Sequence, residues 1–336
     1  MPKMEDIAKR AGVALSTVSH TLSGKRPVSE KVRQRVYQAI KDLEYQPNTL
    51  ARALATKRAQ IIALLYPTST QQLSSAQTDF LTSIAKAATQ WGYALLLWTS
   101  LNEDAEILKM TQQGFIDGII LMEIALDDPR ITLLKERKYP FAMIGHSKEN
   151  EGISFVDLDF PYAVHTSIDY LVKLGHQHIA LINHPSALFE KGIGYVVRTR
   201  EAFYKEIHHY GLEGVDCFCD ANAQSGYEMT KMLLAKYPSI TAFLVLNEWT
   251  NGGVLRALAE SGLKVPDDVS LVAITSSHLA EMTTPTLTAV EFPFTEMGRL
   301  GAEMLIRRLE GQEEKPMQIL LQPALTVRSS TGACRR

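Results

Sequence analysis

The sequence predicts a small all-α three-helix head followed by a linker and an α/β core of two doubly wound lobes. Three observations predict it. The first 45 residues carry apolar residues at helical spacing, broken by a turn containing Gly12. From Gln60 onward, apolar runs alternate with 10–20-residue amphipathic stretches, the signature of parallel strands with helices on both faces. The charge is also divided: residues 1–58 hold 12 of the 35 Lys and Arg but only 5 of the 37 Asp and Glu, leaving an acidic remainder under a net charge of -2.

The first helix spans about Met4–Ala11, with Ile7, Ala8 and Ala11 on one face and Glu5 and Asp6 at its dipole-favoured start. Gly12 ends it. The second runs from about Leu15 to Leu22; Val18 and Leu22, four apart, point inward. Leu15, Ser16, Thr17, Ser19 and His20 form its outer face. The third follows Ser29, a good N-cap, and buries Val32, Val36, Ala39, Ile40 and Leu43. Two helices joined by a short Gly-containing turn make a helix-turn-helix. On a basic domain its outer face suits a polyanion, with Ser and His for base edges and Leu for a thymine methyl. A head whose outer face binds a protein is the other reading of the same pattern.

After the third helix, Pro47 breaks the chain and Asn48 can cap a new helix. TLARALA is too short to be stable alone in water, so Leu50, Ala51 and Leu54 need a partner.

Strands are expected at 61–67, 93–100, 117–123, 141–146, 178–183, 242–247, 270–275 and 287–292. About 270 residues exceed one doubly wound sheet, hence two lobes with a cleft, where ligands sit at strand carboxyl ends. No phosphate-binding GxxxxGK, no GxGxxG after the first strand and no HExxH is present, so catalysis has no positive support and no cofactor is expected. Cys217 and Cys219 alternate like strand residues in a core, and Cys334 leaves an odd count without metal spacing. His176 and His178 suit packing at a strand start better than metal. The polar opening MPKMEDIAKR and the absence of an 18-residue apolar run predict a cytoplasmic protein with no membrane partner.

EDIAKRAGVALSTVSHTLSG, followed by VSEKVRQRVYQAIKDLEYQPNTLARALAT, closely resembles the N-terminal region of the lactose/purine repressor family. DGIILM, YLVKLGHQHIALI, ESGLKVPDDVSLVAI, PTLTAVEFPFTEMG and LQPALTVRSST resemble the same family's periplasmic-binding-protein-like effector core. The resemblance implies a helix-turn-helix domain at 1–46, a hinge helix within 47–59, a core at 60–330 and a tail at 331–336. Within the core it implies a DNA-proximal lobe from 60–160 and 290–320, and a distal lobe from 161–289 and 321–330.

It further implies a homodimeric transcription regulator, most often a repressor, on a near-palindromic DNA operator and controlled by a small effector. Base-reading positions fall on Leu15, Ser16 and His20. Phosphate-holding positions fall on Thr17, Ser19, Tyr45 and Asn48, with Arg52 adding a contact. Leu54 falls on the hinge residue that wedges a central base step. For the effector, the resemblance points to Arg198, Asn247, Glu248, Thr275, Phe294 and Asp157. The commonest family ligand is a sugar or sugar derivative, and an anionic one would suit Arg198.

Departures temper the transfer. Lys3 and Ala14 stand where Ser or Thr usually caps the first two helices, a change to Ala costing about 0.5–2 kcal/mol, so the head should be less stable unless Ser16 and Thr17 compensate. Thr275 and Ser276 replace the usual Asp pair, Glu248 replaces an Asp, and the loop PTSTQQLSSAQTDF lacks the family pattern. The reading from another class is a cytosolic ligand sensor whose basic head binds a protein. If Leu54 is the wedge, Leu54→Ala lowers operator affinity in a gel-shift titration and leaves effector binding intact; equal operator binding removes that role.

Overall fold

The computed structural model describes residues 2–23, 26–44, 58–66, 75–99, 104–312 and 315–335. Contacts divide the chain into two compact units, Met1–Ala59 and Gln60–Arg336. Tyr45, Asn48, Arg52 and Leu54, and with them the expected hinge helix, lie outside the described residues, as does the side chain of Leu22.

The head contains α1 (Met4–Ala11), α2 (Leu15–Ser23) and α3 (Glu30–Asp42). Ile7, Ala8, Ala11, Val18, Val36 and Ala39 form its core, with Met4, Val13, Val32, Ile40 and Leu43 packed around it. Lys3 has no side-chain acceptor with which to cap α1. The reciprocal bond survives: the Asp6 carboxylate accepts the Lys3 N–H at 2.8 Å. Ser29 holds the N-cap position of α3, but its side chain makes no capping bond.

The C-terminus of α1 is better served. Gly12 takes the left-handed conformation (φ 61°), and the Arg35 guanidinium of α3 donates to the carbonyls of Ala11 and Gly12, the latter at 3.1 Å. Glycine is required twice over, because a Cβ there would lie 2.7 Å from Arg35 Nη2. Arg10 and Asp42 add an exposed ion pair at 2.9 Å between α1 and α3, and the Gln38 amide and Arg10 hold the Asp42 carboxyl below its usual range.

The second unit carries two six-stranded sheets. The first is built from β1 (Ile61–Leu65), β2 (Ala94–Trp98), β3 (Gly118–Leu121), β4 (Phe141–Ile144), β5 (Phe155–Leu158) and β11 (Gln318–Leu321). Its order is β11-β5-β4-β3-β1-β2, parallel throughout. The second holds β6 (His178–Asn183), β7 (Glu213–Phe218), β8 (Ala242–Val245), β9 (Ser270–Thr275), β10 (Thr288–Glu291) and β12 (Leu325–Thr326). Its order is β12-β10-β9-β8-β6-β7, with only β12 antiparallel. The eight expected strands are present. β5, β7, β11 and β12 were not among them.

The helices between these strands are α4 (Ser75–Gln90), α5 (Asp104–Gln112), α6 (Pro129–Glu136), α7 (Phe160–Lys173), α8 (Ser186–Glu190) and α9 (Gly194–Tyr210). They continue with α10 (Ala223–Lys236), α11 (Asn251–Glu260), α12 (Ser277–Glu281) and α13 (Phe294–Leu309). The chain passes between the sheets three times: from β5 into α7, from β10 into α13, and from β11 to β12. α13 packs on β3, β4, β5 and α4, so each lobe is finished by residues from the far end of the chain.

Strand alternation sorts the core. Ile62 and Leu64 join Leu181, Leu244 and Val272 in one apolar cluster that runs through both lobes. Ala63 and Leu65 face a cluster confined to the first lobe, and Phe243 and Val245 face one confined to the second. Cys217 and Cys219 are buried in the latter. His176 is buried too, with Nδ1 3.0 Å from Thr241 Oγ1 and Nε2 2.9 Å from Ser270 Oγ, and burial lowers its pKa.

No helix among the described residues is long and apolar enough to cross a membrane. α10 packs closely on α11, where a Cβ on Gly253 would lie 1.8 Å from the Ala223 carbonyl oxygen. Overpacking against backbone has little room to relax. Gly253→Ala should therefore destabilise the core by about 1–3 kcal/mol, read as a lowered melting temperature by calorimetry.

Candidate functional site

The head presents one helix face. Val18 is fully buried and anchors α2, which turns the opposite side outward. Leu15 is 46% exposed there. Ser16 is exposed beside it, and Thr17, Ser19 and His20 are half-buried on the flanks. Thr21 is buried and its hydroxyl donates to the Thr17 carbonyl at 2.8 Å, holding the turn. The start of α2 relies on backbone alone: the Ala14 carbonyl accepts from Thr17 N at 2.9 Å and Val18 N at 3.2 Å.

The second constellation lies between the sheets. Arg198, on α9 of the second lobe, reaches the first: Nη2 donates to the carbonyls of His146 at 2.9 Å and Ser147 at 3.3 Å. Its Nη1 lies 3.9 Å from Asp157 Oδ2 and has no hydrogen-bond partner among the described residues. Asp157, buried in β5, takes Leu158 N–H on one oxygen at 2.8 Å and His146 Nδ1 on the other at 2.7 Å. Gly194 opens α9 directly under the guanidinium, where a Cβ would lie 2.3 Å from Nη1. Backbone clasps the lobes beside it: Gly194 N donates to Ile124 O and Leu126 N to Gly192 O, both at 2.8 Å.

Asn247 and Thr275 stand two residues beyond the paired Val245 and Ala273, at the carboxyl ends of β8 and β9. Both are buried. Asn247 Nδ2 donates to Cys219 O at 2.9 Å, while Asn247 Oδ1 and Thr275 Oγ1 have no partner among the described residues. Phe294 opens α13, stacked on Phe292 with ring centroids 4.2 Å apart and edge-on to Phe80 at 5.0 Å. Its partly buried ring packs against the core cluster shared by both lobes.

Glu248 follows Asn247 and acts electrostatically on two phenols, Tyr66 and Tyr195. These lead to residues the sequence reading missed. Tyr195, on α9, points its hydroxyl at Glu123 Oε1 across 3.5 Å, and its ring edge meets His184 at 5.1 Å. Tyr66 follows β1, Glu123 follows β3 and His184 follows β6. The available signal was position: each closes an apolar strand run, where such folds bind ligands. Burial pushes the Glu123 carboxyl up to about 7 and the His184 imidazole down to about 4, and raises both phenols.

A basic helix-turn-helix unit followed by two parallel α/β lobes with a polar cleft defines a class, regulators that read DNA with one unit and sense a small molecule with the other. The chain belongs to the lacI family of bacterial regulatory proteins. Residues 3–48 match the family model of that description, and residues 168–331 match a periplasmic binding protein-like domain. Similar proteins include the transcriptional repressor PurR of Escherichia fergusonii, 30% identical over 99% of this chain and 97% of its own. The regulator CelR of Thermobifida fusca is also 30% identical, over 98% of each chain. Among solved structures, a lac repressor dimer bound to operator and the anti-inducer ONPF superposes with a TM-score of 0.84 at 25% identity, covering 99% of both chains. A CelR–cellobiose complex gives 0.73 at 27% identity, covering 98% of this chain and 100% of the other. This chain is accordingly a DNA-binding transcription regulator.

The Glu123 shift has a defined sign. The unfolded chain releases this proton near 4.5 and the folded one near 7, so the folded state holds an extra proton between them and loses stability as pH rises through that window. Glu123→Gln removes the effect. The melting-temperature gap between variant and wild type should move in the variant's favour from pH 4.5 to pH 8, and a gap constant with pH contradicts the shift.

Proposed function

We propose that this regulator is a homodimeric repressor that binds a near-palindromic operator through paired α2 helices and releases or grips it according to an effector held between the lobes. The observation that carries the DNA reading is α2 itself, with Leu15 standing exposed over a buried Val18 on a basic unit. Leu15, Ser16 and His20 read bases; Thr17 and Ser19 hold phosphates, with Tyr45, Asn48 and Arg52 assigned the same task and Leu54 the wedge, on resemblance. The head covers 1–46, the hinge 47–59 and the core 60–330. Pairing of two chains is supported by β2, with Leu96 and Leu97 exposed and no further strand beyond it among the described residues, an edge that a second copy would cover.

The effector class is a sugar or sugar derivative, supported by the cellobiose held in the CelR structure. Arg198, Asp157, Asn247, Glu248, Thr275 and Phe294 border its site. The chain acts in the cytoplasm and catalyses no reaction. Effector and operator are coupled by closure of the lobes, a coupling of about 1–3 kcal/mol being enough for control.

Selection of bound sequences from a random DNA pool at two salt concentrations tests this reading. A symmetric enriched motif is expected, with affinity falling by roughly 0.9 log units per log unit of salt for each phosphate neutralised. A head that binds protein instead would enrich nothing at either salt, with or without sugar.

A further inference from the structure

The turn between the two helices of the helix-turn-helix is fastened from a third. α1 ends at Ala11, Gly12 follows in the left-handed conformation, and α2 begins at Leu15. The last carbonyls of a helix have no partner within it. Val13 N–H turns back to Ala8 O at 3.0 Å, which leaves the Ala11 and Gly12 carbonyls to other donors. Nη2 of Arg35, on α3, donates to both. Its positive charge also suits the negative end of the α1 dipole. The guanidinium occupies the space that a side chain on Gly12 would need, since a Cβ there would lie 2.7 Å from Nη2. Asp42 lines the same groove between α1 and α3, but its carboxylate is engaged elsewhere. Arg10 holds one oxygen at 2.9 Å and the Gln38 amide the other at 2.7 Å.

Arg35 is itself held firmly, because its neighbour Val36 is fully buried in the head core with Ile7 and Val18. α2 has little else at its start. Ala14 offers no side-chain oxygen, and only its carbonyl accepts, from Thr17 and Val18. The Thr21 bond stays inside the helix, which leaves Val18 as the buried anchor. The orientation of α2 therefore depends on how rigidly its leading turn is held. With about 1.5 Å of rise per residue, His20 stands on the order of 10 Å beyond that turn, and a swing of about 10° would carry its ring roughly 2 Å. A few tenths of an ångström separate a good hydrogen bond from a lost one. Base-edge contacts need such geometry, whereas the attraction of a basic unit for phosphates does not.

We propose that Arg35 is the positioning residue of the recognition helix, setting through the Ala11–Gly12 turn the angle at which Leu15, Ser16 and His20 meet base edges, without itself touching DNA. This rests on the reading of α2 as the base-reading helix and deepens it. Loss of the guanidinium costs selectivity before it costs adhesion to DNA.

Fluorescence anisotropy on the full chain tests it across a salt series, with the duplex that wild-type protein enriches from a random pool and a scrambled duplex of the same length and composition. Arg35→Ala is expected to bind the enriched duplex roughly tenfold more weakly, to bind the scrambled one within about threefold of wild type, and to keep the wild-type salt slope. A salt slope smaller by about 0.9, with equal losses on both duplexes, marks a phosphate contact and overturns the positioning role. Equal losses at an unchanged slope mark a smaller folded fraction and overturn it too, as does a wild-type ratio between the duplexes. Arg35→Lys keeps the charge but lacks the planar fork, and should fall between wild type and Arg35→Ala in that ratio. Should Arg35→Ala fail to fold, Arg35→Lys decides: a lowered ratio at full salt slope supports the assignment, and a wild-type ratio overturns it. A wild type that enriches no duplex overturns the reading of α2 itself, and this proposal with it.

Discussion

Arg198 spans the gap between the two sheets, and the cleft is organised around that bridge. Its guanidinium leaves α9, passes over Gly194 and donates to backbone carbonyls that follow β4. A guanidinium in a half-enclosed place needs acceptors and a counter-charge, and Asp157 supplies the second at 3.9 Å. Asp157 is itself oriented by His146, whose ring stacks on Phe155 at 5.1 Å. One long side chain therefore ties together β4, β5 and α9, alongside the backbone clasp of 124–126 with 192–194. Any ligand entering between the lobes meets groups already aimed by this arrangement, which limits the ordering entropy that binding must overcome.

The two units are stabilised by different physics. The core buries three apolar clusters, one of them continuous through both lobes, so hydrophobic burial dominates. The head is small, and its surface-to-volume ratio leaves it dependent on end-capping. There the usual hydroxyl caps are missing at Lys3 and Ala14. Asp6 and the Arg35 guanidinium take over part of the work, at opposite ends of α1.

Much of this could be read from the residues. The head helices emerge from spacing, the eight strand runs from periodicity, and Arg198 with Asp157 from resemblance. What escaped has identifiable causes. β7 reads EGVDCF, with a charged start and a glycine, because it is an edge strand with little apolar demand. β11 and β12 are short and close sheets begun far earlier in the chain, and β5 carries the polar Asp157 among apolar neighbours. Glu123, Tyr66, Tyr195 and His184 lie far apart in sequence and become a site only through the convergence of three strand ends and one helix. Spacing along the chain carries no trace of that meeting.

The interleaving of the lobes governs how such a protein can be inherited. The first sheet is completed by β11 and the second by β12, after the chain has visited both. A recombination break anywhere within the core would strand at least one lobe without a strand or its covering helix α13. The unit ending at Ala59 has no such entanglement. Lineages can therefore exchange DNA-reading heads as cassettes, whereas the chemistry between the lobes has to diversify in place, by point changes at the strand ends.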